Sequence, residues 1–364
     1  MKNLLLPALA WALVAPVSVA RAEGAGHKLN DTGVTLCRAA DGQDSADCAG
    51  SGQDGEFGRD VQHNRPRDGR AGFAYIKIGP TGAELPAQAA EWSCVKDKVS
   101  GLVWEVKTGD GQLRDQNSTY TNYGDGRAFD ASTFAAAVNA QGLCGASDWR
   151  LPTYLELHGL ANYAAAPPQR TIDSNWFPYT RAGWYWSSTG VAGGTTEAWG
   201  ANFNRGDLAG GGSRGGRLAV RLVRGDSVPP RLVAKGPVVL DKQAGLTWRR
   251  CSEGQAWNGA GCDGTVAAYD WHQALAHAQA EAAATGEAWR LPNAKELASI
   301  IDASRDRPAI DVSAFPDTAQ TRYWSSTPLA GRPLEAWLSE FGFGNVDSRE
   351  RSTAQTLRLV RDTR

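Results

Sequence analysis

Histidine is scarce in this chain, with five among 364 residues: His27, His63, His158, His272 and His277. None sits in an H-E-x-x-H, and His272 and His277 are five apart, off the i, i+4 spacing that sets two ligands on one helix face. A histidine-held metal is therefore not expected. No G-x-S-x-G elbow surrounds Ser187-Ser188-Thr189 or Ser325-Ser326-Thr327, so these hydroxyls should bond nearby backbone rather than attack a substrate. A charge of one sign is missing as well: 38 Lys and Arg face 39 Asp and Glu, net −1. Such a balance supplies no polyanion-binding field, which excludes nucleic acid as an expected partner. Beyond the N-terminus no apolar run is long enough to span a bilayer, so an integral membrane protein is not expected.

What is present starts with an export signature. Lys2 gives the positive start, Leu4 to Ala15 the apolar run, and Ala20-Arg21-Ala22 an A-x-A cleavage site. Residues 1–22 are expected to be a cleaved signal peptide, leaving 36 basic and 39 acidic residues, net −3. No cysteine sits just after the cleavage site, so a lipid anchor is not indicated. The destination is the periplasm, the cell surface or the medium. Six cysteines in an exported chain favour disulfides.

A repeat organises the rest. Trp149-Arg150-Leu151-Pro152-Thr153-x-x-Glu156-Leu157 returns as Trp289-Arg290-Leu291-Pro292-Asn293-x-x-Glu296-Leu297. In each, a proline ends an extended run and a cap residue precedes a glutamate by three positions, the pattern of a capping box. Arg150 and Arg290 are expected to pair with carboxylates, Asp97 and Asp241 being the repeated candidates. Upstream, Gly101-Leu-Val-Trp104 and Gly245-Leu-Thr-Trp248 read as strands. Asp130 and Asp270 cap helices with apolar residues at i, i+3, i+4 and i+7, stopped at Gly142 and Gly286. Downstream lie the strands Tyr185-Trp-Ser-Ser-Thr189 and Tyr323-Trp-Ser-Ser-Thr327, then those of Trp199 and Trp337. Val220-Arg-Leu-Val-Arg224 and Leu357-Arg-Leu-Val-Arg361 close the copies. The order is α+β, with an antiparallel sheet joining first and last strands. Aligning the copies sets Cys94 on Val238 and Cys144 on Ala284, an absence shared by both. The suggested pairs are Cys94–Cys144 and Cys251–Cys262, leaving Cys37–Cys48.

GLxW, WRLPxxxEL, YWSST, the tryptophan strand and the closing strand together resemble the Lcl C-terminal domain family of exported bacterial domains. The likeness covers both copies and extends to the cysteine-bearing lead-in. It implies a fold similar to C-type lectins and a role in attachment or ligand binding at the cell surface. The expected organisation is then a signal peptide (1–22), an extension packed on the first repeat (23–93), two lectin-like repeats (94–226 and 238–364) and a short stiff linker (227–237). The Arg-Leu-Pro-Thr stretch with its glutamate also resembles sulfatase-modifying enzymes. Those use a cysteine pair late in the domain, and neither repeat has a cysteine after Cys144 or Cys262.

Positions unique to one copy are where a function could lie. In the first repeat these include Trp176, Tyr179 and Trp184, and a loop from Asn202 to Arg217 carrying Arg205, Asp207, Arg214 and Arg217. In the second they include Trp257, Asn345, Asp347, Arg349 and Arg351. Flat aromatics stack on sugars and arginines fork onto sulfate or carboxylate. A polysaccharide or another surface ligand is the expected partner, and enzymatic activity is not expected. No cofactor is expected. Calcium is the ion a lectin-like domain would use, with Asp110, Asp115, Asp125, Asn345 and Asp347 as candidates, but the usual lectin calcium signatures are missing. Arg205-Gly206-Asp207 and Arg224-Gly225-Asp226 read as turn chemistry rather than recognition tripeptides. The competing functions are a modified enzyme site and a structural envelope component.

Overall fold

Each copy of the repeated stretch bends from an extended run into a short helix at its cap residue. In the computed structural model, which describes residues 29–363 apart from 40, 66, 167 and 228–230, both junctions are capping boxes. Thr153 Oγ1 accepts the Glu156 amide at 3.2 Å, and Glu156 returns a carboxylate oxygen to the Thr153 amide at 2.7 Å. Asn293 and Glu296 repeat this at 2.9 and 2.8 Å. The arginine before each box takes that same glutamate rather than Asp97 or Asp241: Arg150 forks onto Glu156 at 2.7–2.8 Å and Arg290 onto Glu296 at 2.7 Å. Asp97 and Asp241 are occupied closer to home, accepting the amides of Val99 and Ser100 and of Gln243 and Ala244 in their own turns.

The lead-in forms a hairpin, β1 (Cys37–Arg38) and β2 (Asp44–Ser45), a short helix α1 (Arg59–Gln62), and strands β3 (Tyr75–Ile78) and β4 (Glu84–Leu85). The first repeat comprises β5 (Cys94–Asp97), β6 (Val103–Glu105), α2 (Ala131–Gln141) and α3 (Tyr154–Gly159). It continues with β7 (Trp184–Gly190), β8 (Glu197–Asn202), β9 (Leu208–Ser213) and β10 (Val223–Arg224). Next come β11 (Leu232–Lys235), β12 (Val238–Asp241), β13 (Leu246–Arg249), β14 (Gln255–Trp257) and β15 (Cys262–Gly264). Helices α4 (Trp271–Thr285) and α5 (Ala294–Ser299) precede β16 (Arg322–Pro328), β17 (Glu335–Glu340), β18 (Val346–Glu350) and β19 (Val360–Asp362). Among the described residues the architecture is α+β: few helices and small sheets whose named strands all pair antiparallel.

First and last strands of each repeat do meet, β10 on β6 and β19 on β13. Asp130 caps α2 and Asp270 caps α4, and Gly142 and Gly286 end them at φ +65° and +69°, which glycine adopts without a Cβ clash. Disulfides join Cys37–Cys48, Cys94–Cys144 and Cys251–Cys262. The expected signal peptide, and Val228 to Pro230 of the expected linker, lie outside the described residues. The rest of that linker is less free than its composition suggests. Leu232–Lys235 pairs antiparallel with β12 along its whole length, adding a strand at the open edge of that sheet.

The two copies are joined by a shared sheet. Its order is β16-β17-β18-β9-β8-β7, so the edge strand of one repeat pairs with that of the other. The bridging residues, Leu208 and Val346, are 138 positions apart, as are Trp199 and Trp337. Equivalent residues therefore face each other, which is the isologous arrangement of a two-fold dimer. The surrounding contacts are reciprocal. A Cβ on Gly206 would stand 3.5 Å from Trp337, and one on Gly344 would stand 3.2 Å from Trp199. Helices α3 and α5 meet beside this seam, where the Tyr154 hydroxyl donates to the Ile301 carbonyl at 2.8 Å. The largest apolar core runs through the seam, taking Leu157, Leu160, Tyr163 and Trp199 from one repeat and Leu297, Ile300, Ile301 and Trp337 from the other. Separate cores lie under α2 and α4.

The lead-in packs on the first repeat and also reaches the second. Strand β3 extends the first repeat's sheet beside β5. Other lead-in residues also reach the second repeat: Asp31 accepts from Asn293 at 3.0 Å, Asp54 from Thr327 at 2.6 Å, and Gln279 donates to the Gly50 carbonyl at 2.7 Å. The polar cap and strand hydroxyls of the second repeat supply donors that the lead-in's carboxylates need once buried.

Candidate ligand-binding surface

The residues expected to bind a ligand fall into separate places. Trp176 is buried, 5% exposed, its ring tilted against that of Tyr75 at 5.6 Å while its carbonyl accepts from Trp92. It seals the seam between lead-in and first repeat and offers no face to a ligand. Trp184 is half-buried on β7, opposite Asn202. Asn202 closes the β8–β9 turn by accepting the Asn204 amide. Arg205 and Asp207 lie 3.7 Å apart, Asp347 and Arg349 2.5 Å apart, and Asn345 accepts the Gly210 amide across the junction. Burial, with Asp347 nearby and against the pull of Arg205 and Arg332, raises Asp207 to about 6. These six residues border the joint between the copies, the four charged ones forming two close ion pairs.

Arg214 and Arg217 lie elsewhere, beside the loop that enters α2. Arg214 donates to the Asn122 carbonyl at 2.7 Å, fastening the turn after β9 to that loop. The Arg217 guanidinium stands 4.8 Å from the centre of the Phe129 ring, and Arg127 stands 3.7 Å from that of Tyr123. Both rings are in solvent, Phe129 63% and Tyr123 43% exposed. Phe129 also has φ +59°, a left-handed conformation that costs a bulky residue energy and marks positions held by their surroundings. What holds it is Asp130. Burial works against its charge, yet Ser132, the Tyr123 amide and Thr121 donate to it and hold it down at about 2. The loop is thus pinned at its base, with Tyr123, Arg127, Phe129, Arg214 and Arg217 forming an aromatic and cationic surface.

The sequence pointed to two of these five. Phe129 looked like an ordinary aromatic before a helix cap, because Tyr269 occupies the same place in the second repeat. There the ring is half-buried and stacks on His277 at 4.8 Å. The glycines flanking Asp125 were the available signal that the first repeat carries a longer, outward loop at this point.

The expected calcium ligands do not converge. Asp110 accepts from Thr108 and Gln112, Asp115 from Gly111 and Asn117, and Asp125 is forked by Arg127 at 2.5–2.9 Å. Among the described residues two other groups bring three ligand atoms within 4.8 Å: Glu253, His277 and Glu281, and Asp31, Asp54 and Asp60. In the first, Arg249 spans both carboxylates at 2.6–3.2 Å and supplies the positive charge a cation would bring. In the second, all three residues are buried. Thr32 bridges Asp54 and Asp60, and the Lys295 ammonium donates to the Asp31 and Gly159 carbonyls at 2.6 and 2.9 Å. Burial and mutual repulsion raise Asp54 to about 8 and Asp60 to about 10, and burial lowers Lys295 to about 7 against the pull of these acids. At neutral pH the cluster holds protons and acts as a hydrogen-bonded clasp for the lead-in.

Fold and joint together define a class: an α+β protein of two tandem, disulfide-braced repeats. The chain belongs to the Lcl C-terminal domain family, whose model matches residues 93–224 and 237–361. No curated protein matches it. The disulfides and the family's exported character place it outside the reducing cytosol. Among the described residues no helix is long and apolar enough to cross a membrane.

Proposed function

We propose that this is an exported, adhesin-like, non-enzymatic protein that binds an acidic polysaccharide through its first repeat. The observation that carries the reading is the exposed pair Phe129 and Tyr123, with the Arg217 guanidinium beside Phe129, while Arg127 beside Tyr123 is forked onto Asp125. An open aromatic face stacks on a sugar ring, and guanidinium forks match sulfate or carboxylate groups. A lectin-like fold fits this placement, since such domains bind through loops above the sheet. The matching ring of the second repeat, Tyr269, is half-buried, so one site per chain is proposed rather than two acting together. No cofactor enters the reading, because Arg127 already neutralises Asp125.

The test is a glycan array probed with the mature protein, covering neutral, uronate and sulfated glycans, followed by titration. Binding to acidic glycans, weakened by salt, is expected. Phe129→Ala and Arg217→Ala should each weaken it by about tenfold, in line with the worth of a stacked ring or a forked charge pair. Absence of binding to every glycan class, or unchanged affinity in both variants, overturns the proposal.

A further inference from the structure

The repeats leave a cavity of about 670 Å³ between them, where α3 faces the residues that follow α5. Its walls are mostly apolar, with Leu102, Trp104, Tyr154 and Leu155 from the first repeat and Ile300 and Ile301 from the second. A space of this size at a domain seam, apolar with a few polar groups, has the character of a small-molecule site.

Charge selects the occupant. The lining holds six carboxylates, Asp97, Glu156, Asp226, Asp241, Asp302 and Asp311, against one guanidinium, Arg231. Glu156 and Asp302 have Arg150 and Arg305 beside them, and Asp97 and Asp241 are engaged by turn amides. Asp311 accepts from Ser313 and the Ala314 amide with the Arg305 charge nearby, and Asp226 lies within the field of Arg150, but neither carboxylate makes a close ion pair among the described residues. Asn30, 5% exposed, also lines the cavity. Its amide nitrogen donates to Asp97, while its oxygen has no donor. The Trp104 indole is unpaired too, but so is Trp248 at the same place in the second repeat, so that feature belongs to the fold. Asn30 belongs to neither repeat. An unsatisfied acceptor, an excess of carboxylates over guanidinium groups and apolar walls all favour a ligand that brings N–H donors and positive charge.

We propose that this cavity binds a small amphipathic cation, with an aromatic or aliphatic body between the repeats and an ammonium group held by the carboxylates. The site is separate from the polysaccharide surface around Phe129. Phenethylamine titrated calorimetrically into the full mature chain is the test, with 2-phenylethanol and phenylacetate as neutral and anionic compounds of the same skeleton. Phenethylamine should bind, the alcohol at least about tenfold more weakly, and the acid not at all. Asp226→Lys with Asp311→Asn should lower phenethylamine affinity by about tenfold or more, whereas Phe129→Ala should leave it unchanged. Asp226 is exposed, so Asp226→Lys alone carries the test if the double variant fails to fold. Failure of phenethylamine to bind, equal affinity for all three compounds, or affinity unaffected by Asp226→Lys overturns the proposal.

Discussion

Glu156 and Glu296 do one task in two surroundings, so truncating each measures what burial adds. Both accept a cap amide and both take a forked arginine. The surroundings differ at the arginine: the Arg150 side chain is 32% exposed and that of Arg290 10%. Phe57 of the lead-in lies 5.6 Å from the Arg290 guanidinium and helps to cover it. Loss of the cap interaction costs about 1 kcal/mol in either copy. The exposed pair at Arg150 contributes about 0.2–1 kcal/mol more. At Arg290 the truncation strands a buried guanidinium, which costs about 3–5 kcal/mol, partly offset by Asp362 at 3.2 Å. Glu156→Ala should therefore cost about 1–2 kcal/mol and Glu296→Ala about 4–5 kcal/mol. Urea unfolding of the full chain measures both, and double-mutant cycles with Arg150→Met and Arg290→Met isolate the pairs. Equal losses within about 0.5 kcal/mol, or the reverse order, would refute the role given to burial.

The Asp54 and Asp60 clasp predicts a pH trend opposite to ordinary acid unfolding. Both carboxyls have folded values above their unfolded one, so their contribution is full below about 3.8 and is lost as pH rises through about 8 and about 10. Lys295, lowered to about 7, has the opposite effect above that pH, so the diagnostic window is about pH 4 to 7. Proteolysis of the lead-in should quicken across that window, and Asp54→Asn with Asp60→Asn should flatten the response; a rate that falls with pH contradicts the clasp. Gly344 has φ +89°, and an added Cβ would meet Ile301 at 2.8 Å. Gly344→Ala should cost about 2 kcal/mol or more by combined strain and overlap, read as a lower melting temperature, and an unchanged one counts against the tightness of the seam.

Much of each repeat was legible because it is governed by local rules. The capping boxes at Thr153 and Asn293, the helices started by Asp130 and Asp270, and their stops at Gly142 and Gly286 depend on neighbours within a few residues. What escaped depends on distant partners. Arg150 has several carboxylates within plausible reach, and only the bend at Pro152 brings Glu156 to it. Trp176 and Phe129 are both large aromatics in polar stretches, and composition cannot say that Tyr75 covers one while Asp130 turns the other outward. The pairing of β9 with β18 left no trace in the sequence, since Leu208-Ala-Gly-Gly-Gly-Ser213 reads as a loop.

That junction has a consequence for one repeat taken alone. A strand such as β9 presents a row of free amides and carbonyls along its outer edge, open to any chain that can extend the sheet. Here the second copy occupies that edge in the same molecule, at an effective concentration no separate chain would match. A repeat severed between 227 and 231 would regain the open edge and the self-complementary Leu208 position, and its natural escape is to pair with a second molecule of itself. Tandem duplication in this chain amounts to a covalently tethered homodimer, joined where Leu208 meets Val346.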